Sequence, residues 1–150
     1  MNNQKAISKI SEAEYLANEM TSEIKHEYYQ GEIFAMAGAS RAHNLIVANV
    51  IGELRNQLKK RPCRLYPSDM RLQIEATGLY TYPDVMVVCG EEKFLDEKQT
   101  TLLNPDVIIE VLSDSTEGYD RGIKFSHYRK LGSLKEYVII SQQIQKIEKY

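Results

Sequence analysis

Two segments of this chain open with Pro-Asp and run straight into β-branched and aliphatic residues: Pro83-Asp84-Val85-Met86-Val87-Val88 and Pro105-Asp106-Val107-Ile108-Ile109-Glu110-Val111-Leu112. Short apolar runs led in by turn residues read as strands buried inside a domain. The second run carries an ionisable side chain, Glu110, in its interior. On a half-exposed strand that glutamate faces solvent. In a buried sheet it needs a cation or a hydrogen-bonding partner, because a lone carboxylate among apolar side chains is costly.

Asp106 cannot share an ion with Glu110. Four residues apart on one strand, their side chains emerge about 13 Å from each other. Asp84 can, if the two strands pair and bring it beside Glu110 on one face. Two carboxylates so placed suit a single hard divalent ion such as Mg²⁺. A lysine follows on the segment Tyr119–Leu131, whose pattern predicts a helix closed by Gly132. Lys124, Tyr128 and Leu131 recur at spacings of four and three, so Lys124 points with the packed face. A lysine laying its stem on apolar surface is the ordinary alternative.

The other elements fill in the frame. Ser11 and Glu14 make an S-x-x-E capping box, which predicts a short helix over Ser11–Met20. Ile24–Ala37 reads as a hairpin turning at Gln30-Gly31. Arg41–Lys60 reads as a longer helix capped by Ser40 and ended by Pro62, with His43, Val47, Val50, Leu54 and Leu58 along one face. His43 heads that face, either reaching the carboxylates as an auxiliary group or satisfied by a backbone carbonyl. Cys63–Ile74 is one strand bent at Pro67 or two short ones. Leu79–Val88 is a single strand, Cys89–Asn104 a polar surface loop, and Glu136–Ile140 a further strand. Asp69 is a weaker acidic candidate, read more simply as a turn residue. The last residues look like another strand cut short, so a further C-terminal piece is expected. The element order predicts an α/β fold, a mixed central sheet flanked by helices, in one domain over residues 1–150.

Composition narrows the function classes. Hydrophobic residues at 43% and charged residues at 27% describe an ordinary globular chain. No apolar run spans a bilayer and the first nine residues lack a signal-peptide centre, so the expected location is cytoplasmic, with no membrane partner. The net charge of −2 does not announce a nucleic-acid binder. Local basic stripes at Lys59–Arg64 and Tyr128–Lys130 remain available to a phosphate backbone. Cys63 and Cys89 suggest neither a metal spacing nor a disulfide framework, and read as buried small hydrophobes. No G-x-S-x-G motif supports a serine nucleophile.

The segments "YPDVMVV", "NPDVIIEVLS" and "YDRGIKFSHYRKLGSLKEYVII", with "GEIFAMAGASRAHNLIVANVIGEL" and "PSDMRLQI" before them, resemble the Uma-type family of restriction endonucleases, within the PD-(D/E)XK nuclease superfamily. The resemblance covers nearly the whole chain. It implies a restriction-endonuclease-like core with an N-terminal helix and hairpin, and Mg²⁺-dependent hydrolysis of DNA in which Mn²⁺ can substitute. On that pattern Asp84 and Glu110 bind the metal and Lys124 completes the catalytic set. Leu112 occupies the usual lysine position of the E-x-K motif, so the lysine has moved to the following helix. Asp114 stands where the family commonly has proline, which should alter only the turn. Cutting both strands of a duplex implies a two-fold homodimer, and no organic cofactor is needed. Two other readings compete: a non-catalytic binding module that kept the fold, and a structural domain in which Glu110 and Lys124 form a simple salt bridge.

Overall fold

A computed structural model describes residues 9–113, 117–143 and 146–150. Asp114 lies outside the described residues. Among the described residues four helices, α1 (Glu12–Glu19), α2 (Arg41–Leu58), α3 (Glu117–Arg121) and α4 (Ile123–Tyr128), accompany ten strands. The expected mixed sheet is realised twice. The first sheet runs in the order β2 (Glu32–Ala35), β1 (His26–Tyr29), β5 (Leu79–Thr81), β4 (Arg71–Ile74), β7 (Thr101–Leu102). The second runs β10 (Ile147–Lys149), β9 (Glu136–Ile140), β8 (Val107–Val111), β6 (Val85–Cys89), β3 (Cys63–Pro67). Each contains one parallel pair, β4 with β7 and β8 with β9.

This doubling corrects one expectation. Leu79–Val88 is two strands, not one: β5 belongs to the first sheet and β6 to the second. Pro83, which donates no amide hydrogen to a ladder, sits in the break, and the chain crosses between sheets there. The turn at Pro67–Met70 sends β3 and β4 to different sheets in the same way. The predicted helix over Tyr119–Leu131 is likewise divided, into α3 and α4, with Gly122 between them.

Cys89–Asn104, expected to be a polar surface loop, instead carries β7, whose Thr101 and Leu102 are fully buried beside β4. The capping and hairpin signals hold. Ser11 Oγ accepts from the Glu14 amide and Ser40 Oγ from the His43 amide, capping α1 and α2. The hairpin turns through Gln30 and Gly31, both at positive φ. Gly31 has a second reason to lack a side chain: a Cβ there would meet the Lys9 Cβ at 2.8 Å.

The sheets face each other across one apolar core. Leu72, Ile74, Leu79 and Leu102 come from the first sheet, Met86, Val88, Ile108 and Ile139 from the second, and Tyr128 and Leu131 from α4 and its end. Strand alternation sorts β1. Tyr28 packs outward with Tyr15 of α1 and Tyr80 of β5. Glu27 and Tyr29 therefore turn inward, and Tyr29 meets the His127 ring edge-on. Helix α2 contributes nothing to that core and lies against β3 and β8.

The cysteines depart from expectation. Cys63 and Cys89 are directly opposed in the β3–β6 ladder and joined by a disulfide, and Cys89 is exposed rather than buried. Their spacing carries no signal of this, because only the strand register brings them together.

Candidate active site

The β6–β8 ladder pairs Val85 with Ile109, so one more step of register sets Asp84 against Glu110. The Asp84 side chain bends across the end of β8 and its Oδ2 accepts the Val111 amide at 2.8 Å. The same oxygen meets His43 Nε2 at 3.1 Å. The helix cap at Ser40 thus matters to the site, because it fixes the first turn of α2, from which His43 reaches Asp84.

Glu110 keeps the strand alternation and faces α4. Its Oε1 accepts the Tyr128 hydroxyl at 2.9 Å and lies 3.4 Å from Lys124 Nζ. Lys124 and Tyr128, one helical turn apart, arrive on the same carboxylate as their shared face requires. The side chains of Lys124 and Glu110 are only 4% and 5% exposed. Burial, and then the Glu110 charge, hold the Tyr128 phenol well above its ordinary pKa, so it remains a donor.

One acidic residue was missed at the sequence level. Glu27, turned inward on β1, brings its Oε2 to 3.8 Å from Lys124 Nζ. Thr81 and Tyr119 donate to that same oxygen. The available signal was the alternation in "HEYY": once Tyr28 is assigned to an aromatic cluster, Glu27 must face the other way. Asp69, by contrast, is a turn residue with a 93% exposed side chain paired to Lys25.

Asp84, Glu110, Lys124, His43 and Glu27 all line one cavity of about 930 Å³. Its floor fits a hard divalent cation. Asp84 is anchored through Oδ2 and Glu27 through Oε2; among the described residues no donor lies on Asp84 Oδ1 or Glu27 Oε1. Glu27, Asp84 and Glu110 stand with Lys124 and His43, and Glu23 and Lys25 line the same cavity, so four carboxylates against two lysines leave the described lining about two charges negative, His43 uncounted. Among the described residues no three acidic, His or Cys side chains converge as a ready cage. Mg²⁺ does not require one, since it takes one or two carboxylates and keeps several waters or phosphate oxygens.

The basic stripes separate from this cavity. α2 has 18 residues, a length of about 27 Å. Its first turn is at the cavity, so Lys59–Arg64 lie past the far end of that helix, away from the cavity. Of the other stripe, Tyr128 is buried on Glu110 and Arg129 covers the Phe125 ring.

A family model, Uma2, described as "Putative restriction endonuclease", matches residues 12–150. The chain is 42% identical over 141 residues to the uncharacterized protein sll1609 of Synechocystis sp., covering 94% of this chain and 80% of that one. It is 39% identical over 143 residues to slr1290 of the same organism, covering 95% and 74%. Among solved structures it is similar to one described as "a putative nuclease belonging to DUF820" from Anabaena variabilis, with a TM-score of 0.64 at 20% identity, covering 86% of this chain and 78% of that one. That likeness is one of fold, and it fits the restriction-endonuclease-like core.

Proposed function

The chain belongs to the Uma2 restriction endonuclease family, and from that premise we propose that it hydrolyses phosphodiester bonds in DNA, using Mg²⁺, or Mn²⁺ in its place, held by Asp84 and Glu110. The observation that carries this reading is a buried ammonium beside Glu110 and Glu27, in one cavity with Asp84, which spends only one oxygen on the described residues.

When bound, the cation supplies Lewis acidity and lowers the pKa of a water beside the scissile phosphate. The protein's own groups do the positioning. His43 and the Val111 amide fix Asp84 through Oδ2, so that Oδ1 would serve the ion. Tyr128 and Lys124 fix Glu110. Lys124, held between Glu110 and Glu27, presents positive charge where the pentavalent transition state gains negative charge, without reorganisation at the moment of reaction. Water forms the new phosphorus–oxygen bond as the ester oxygen departs and takes a proton.

A two-fold homodimer would supply a second site for the second strand. The open edge strand β2, with Ile33 and Phe34 exposed, supports that part of the reading. This reading puts the chain in the cytoplasm with its DNA, and no organic cofactor enters. No helix among the described residues is long and apolar enough to cross a membrane.

The test is cleavage of supercoiled plasmid with Mg²⁺ or Mn²⁺, beside Asp84→Ala. Nicked or linear product from the wild type, absent with the folded variant, is the expected outcome. Calorimetry should show weaker Mg²⁺ binding by Glu110→Gln, and equal affinities would count against the assignment.

A further inference from the structure

Glu27 lies outside every motif strand, on a hairpin that belongs to the other sheet, yet its side chain is only 12% exposed and lines the cavity. Its charge is not needed to balance Lys124, which is nearer to Glu110, at 3.4 Å against 3.8 Å. Nor is it an accident of packing. Tyr28 is locked outward by its ring contacts with Tyr15 and Tyr80. Its hydroxyl also donates to the Ile10 carbonyl. That fixes Glu27 inward. Thr81, inward by the same alternation on β5, then orients the carboxylate through Oε2.

Burying a third carboxylate next to two others raises the energy of the site unless a cation shares it. Glu27 also repeats what is seen at Asp84. In each, the protein's donors converge on one oxygen, and the second receives none among the described residues. Because among the described residues no three such side chains converge on one point, the arrangement suits contact with the ion's water rather than with the ion.

We infer that Glu27, from the accessory hairpin, completes the cation site: its Oε1 accepts a hydrogen bond from water carried by the ion that Asp84 and Glu110 hold. The inference rests on the proposed function and deepens it. The hairpin then belongs to the active site and is more than a decoration of the core.

Mn²⁺ binding to the whole chain, followed by electron paramagnetic resonance and calorimetry without DNA, tests this apart from activity. Residues that orient bound water and ligands through hydrogen bonds typically change metal affinity about 10- to 100-fold when lost. Glu27→Gln should therefore bind Mn²⁺ at least about tenfold more weakly, with an unchanged circular dichroism spectrum. Affinity within twofold of wild type overturns the inference and leaves the proposed function standing. A wild-type protein that binds no Mn²⁺ overturns both. Should Glu27→Gln not fold, Lys124→Met provides the second route. Removing the competing ammonium should tighten Mn²⁺ binding, and adding Glu27→Asp to that background should remove most of the gain. An undiminished gain overturns the inference.

Discussion

Asp84 and Asp106 are one local motif used twice. Each follows a proline, each leads into a strand, and β6 and β8 are antiparallel. Each carboxylate therefore caps the far end of the other strand: Asp84 accepts the Val111 amide at the end of β8, and Asp106 accepts the Cys89 amide at the end of β6. Their side chains are almost equally exposed, at 15% and 13%. The difference lies in how the oxygens are used. Asp106 spends Oδ2 on Cys89 and offers Oδ1 to Lys135, itself 74% exposed. Among the described residues Asp84 takes both its donors on Oδ2 and none on Oδ1. One end of the β-pair is thus a closed structural cap, and the other is a cap with a chemical valence left over. Neither the motif nor its burial distinguishes them.

The widest gap should appear on exchanging each aspartate for asparagine. Asp84→Asn removes charge where a cation is to be held, and the loss of several kcal/mol of transition-state stabilisation corresponds to a fall in cleavage rate on the order of a thousandfold. Asp106→Asn should leave the rate within twofold and cost about 1 kcal/mol of stability, the worth of a charge-assisted cap. Single-turnover cleavage and urea melts of the two variants measure both. Equal rate losses would dissolve the distinction.

The lysines sharpen the same contrast. Lys124 is buried between Glu110 and Glu27, whereas Lys135 meets Asp106 in solvent and Lys130 is exposed. Lys124→Ala should slow turnover by about a hundredfold, the cost of one preorganised contact to the transition state. Lys135→Ala and Lys130→Ala should change it by less than twofold, since a surface ion pair is worth about 0–1 kcal/mol. Single-turnover rates decide, and a more damaging Lys130→Ala would show that the lysine assignment is wrong.

Alkaline pH probes the two ends through their tyrosines. Burial raises Tyr128 at the cavity well above the ordinary value near 10, and raises Tyr80 and Tyr66 to about 12. In each case the unfolded chain loses its proton first. The stability they confer is full below pH 10 and falls as pH rises through 10 toward the folded-state values. The urea midpoint should be flat from pH 8 to 9.5 and drop by pH 11. Tyr128→Phe should lessen the drop while weakening the hold on Glu110. A midpoint unchanged at pH 11 would refute this.

Much of this contrast could be read from the chain alone, and the unread part has a physical pattern. The β8 pattern around Glu110, the packed stripe of Lys124 and Tyr128, and the Ser40 cap are local periodicities, and local periodicity survives folding. What escaped is non-local. The division of Leu79–Val88 between two sheets depends on where each half finds a partner. Glu27 has no signal of its own in "HEYY", because its direction follows from an aromatic cluster built by three separate segments. Cys63 and Cys89 pair only because Val88 and Arg64 are in register beside them. The disposition of oxygens that separates Asp84 from Asp106 is further still from the sequence, being set by which donors arrive from α2 and from the turn just before β9.

The far end also holds the disulfide, and it yields the smallest expected effect on turnover. Cys89 is the residue whose amide Asp106 caps, so reduction acts on the closed cap and not on the cavity. The bridge closes a loop with a sequence separation of 26, for which unfolded-state entropy gives about 3.5 kcal/mol of stabilisation. Reduction, or Cys63→Ser with Cys89→Ser, should lower the urea midpoint clearly. Cleavage rate should stay within twofold, because β6 remains laddered to β3 and β8 and the Asp84 end remains fixed by His43 and Val111. Alkylation followed by mass spectrometry first establishes that the thiols are paired in the oxidised protein. A rate that falls tenfold on reduction, in protein that is still folded, would mean that the two ends of the β-pair communicate, and the cap at Asp106 would then be part of the mechanism after all.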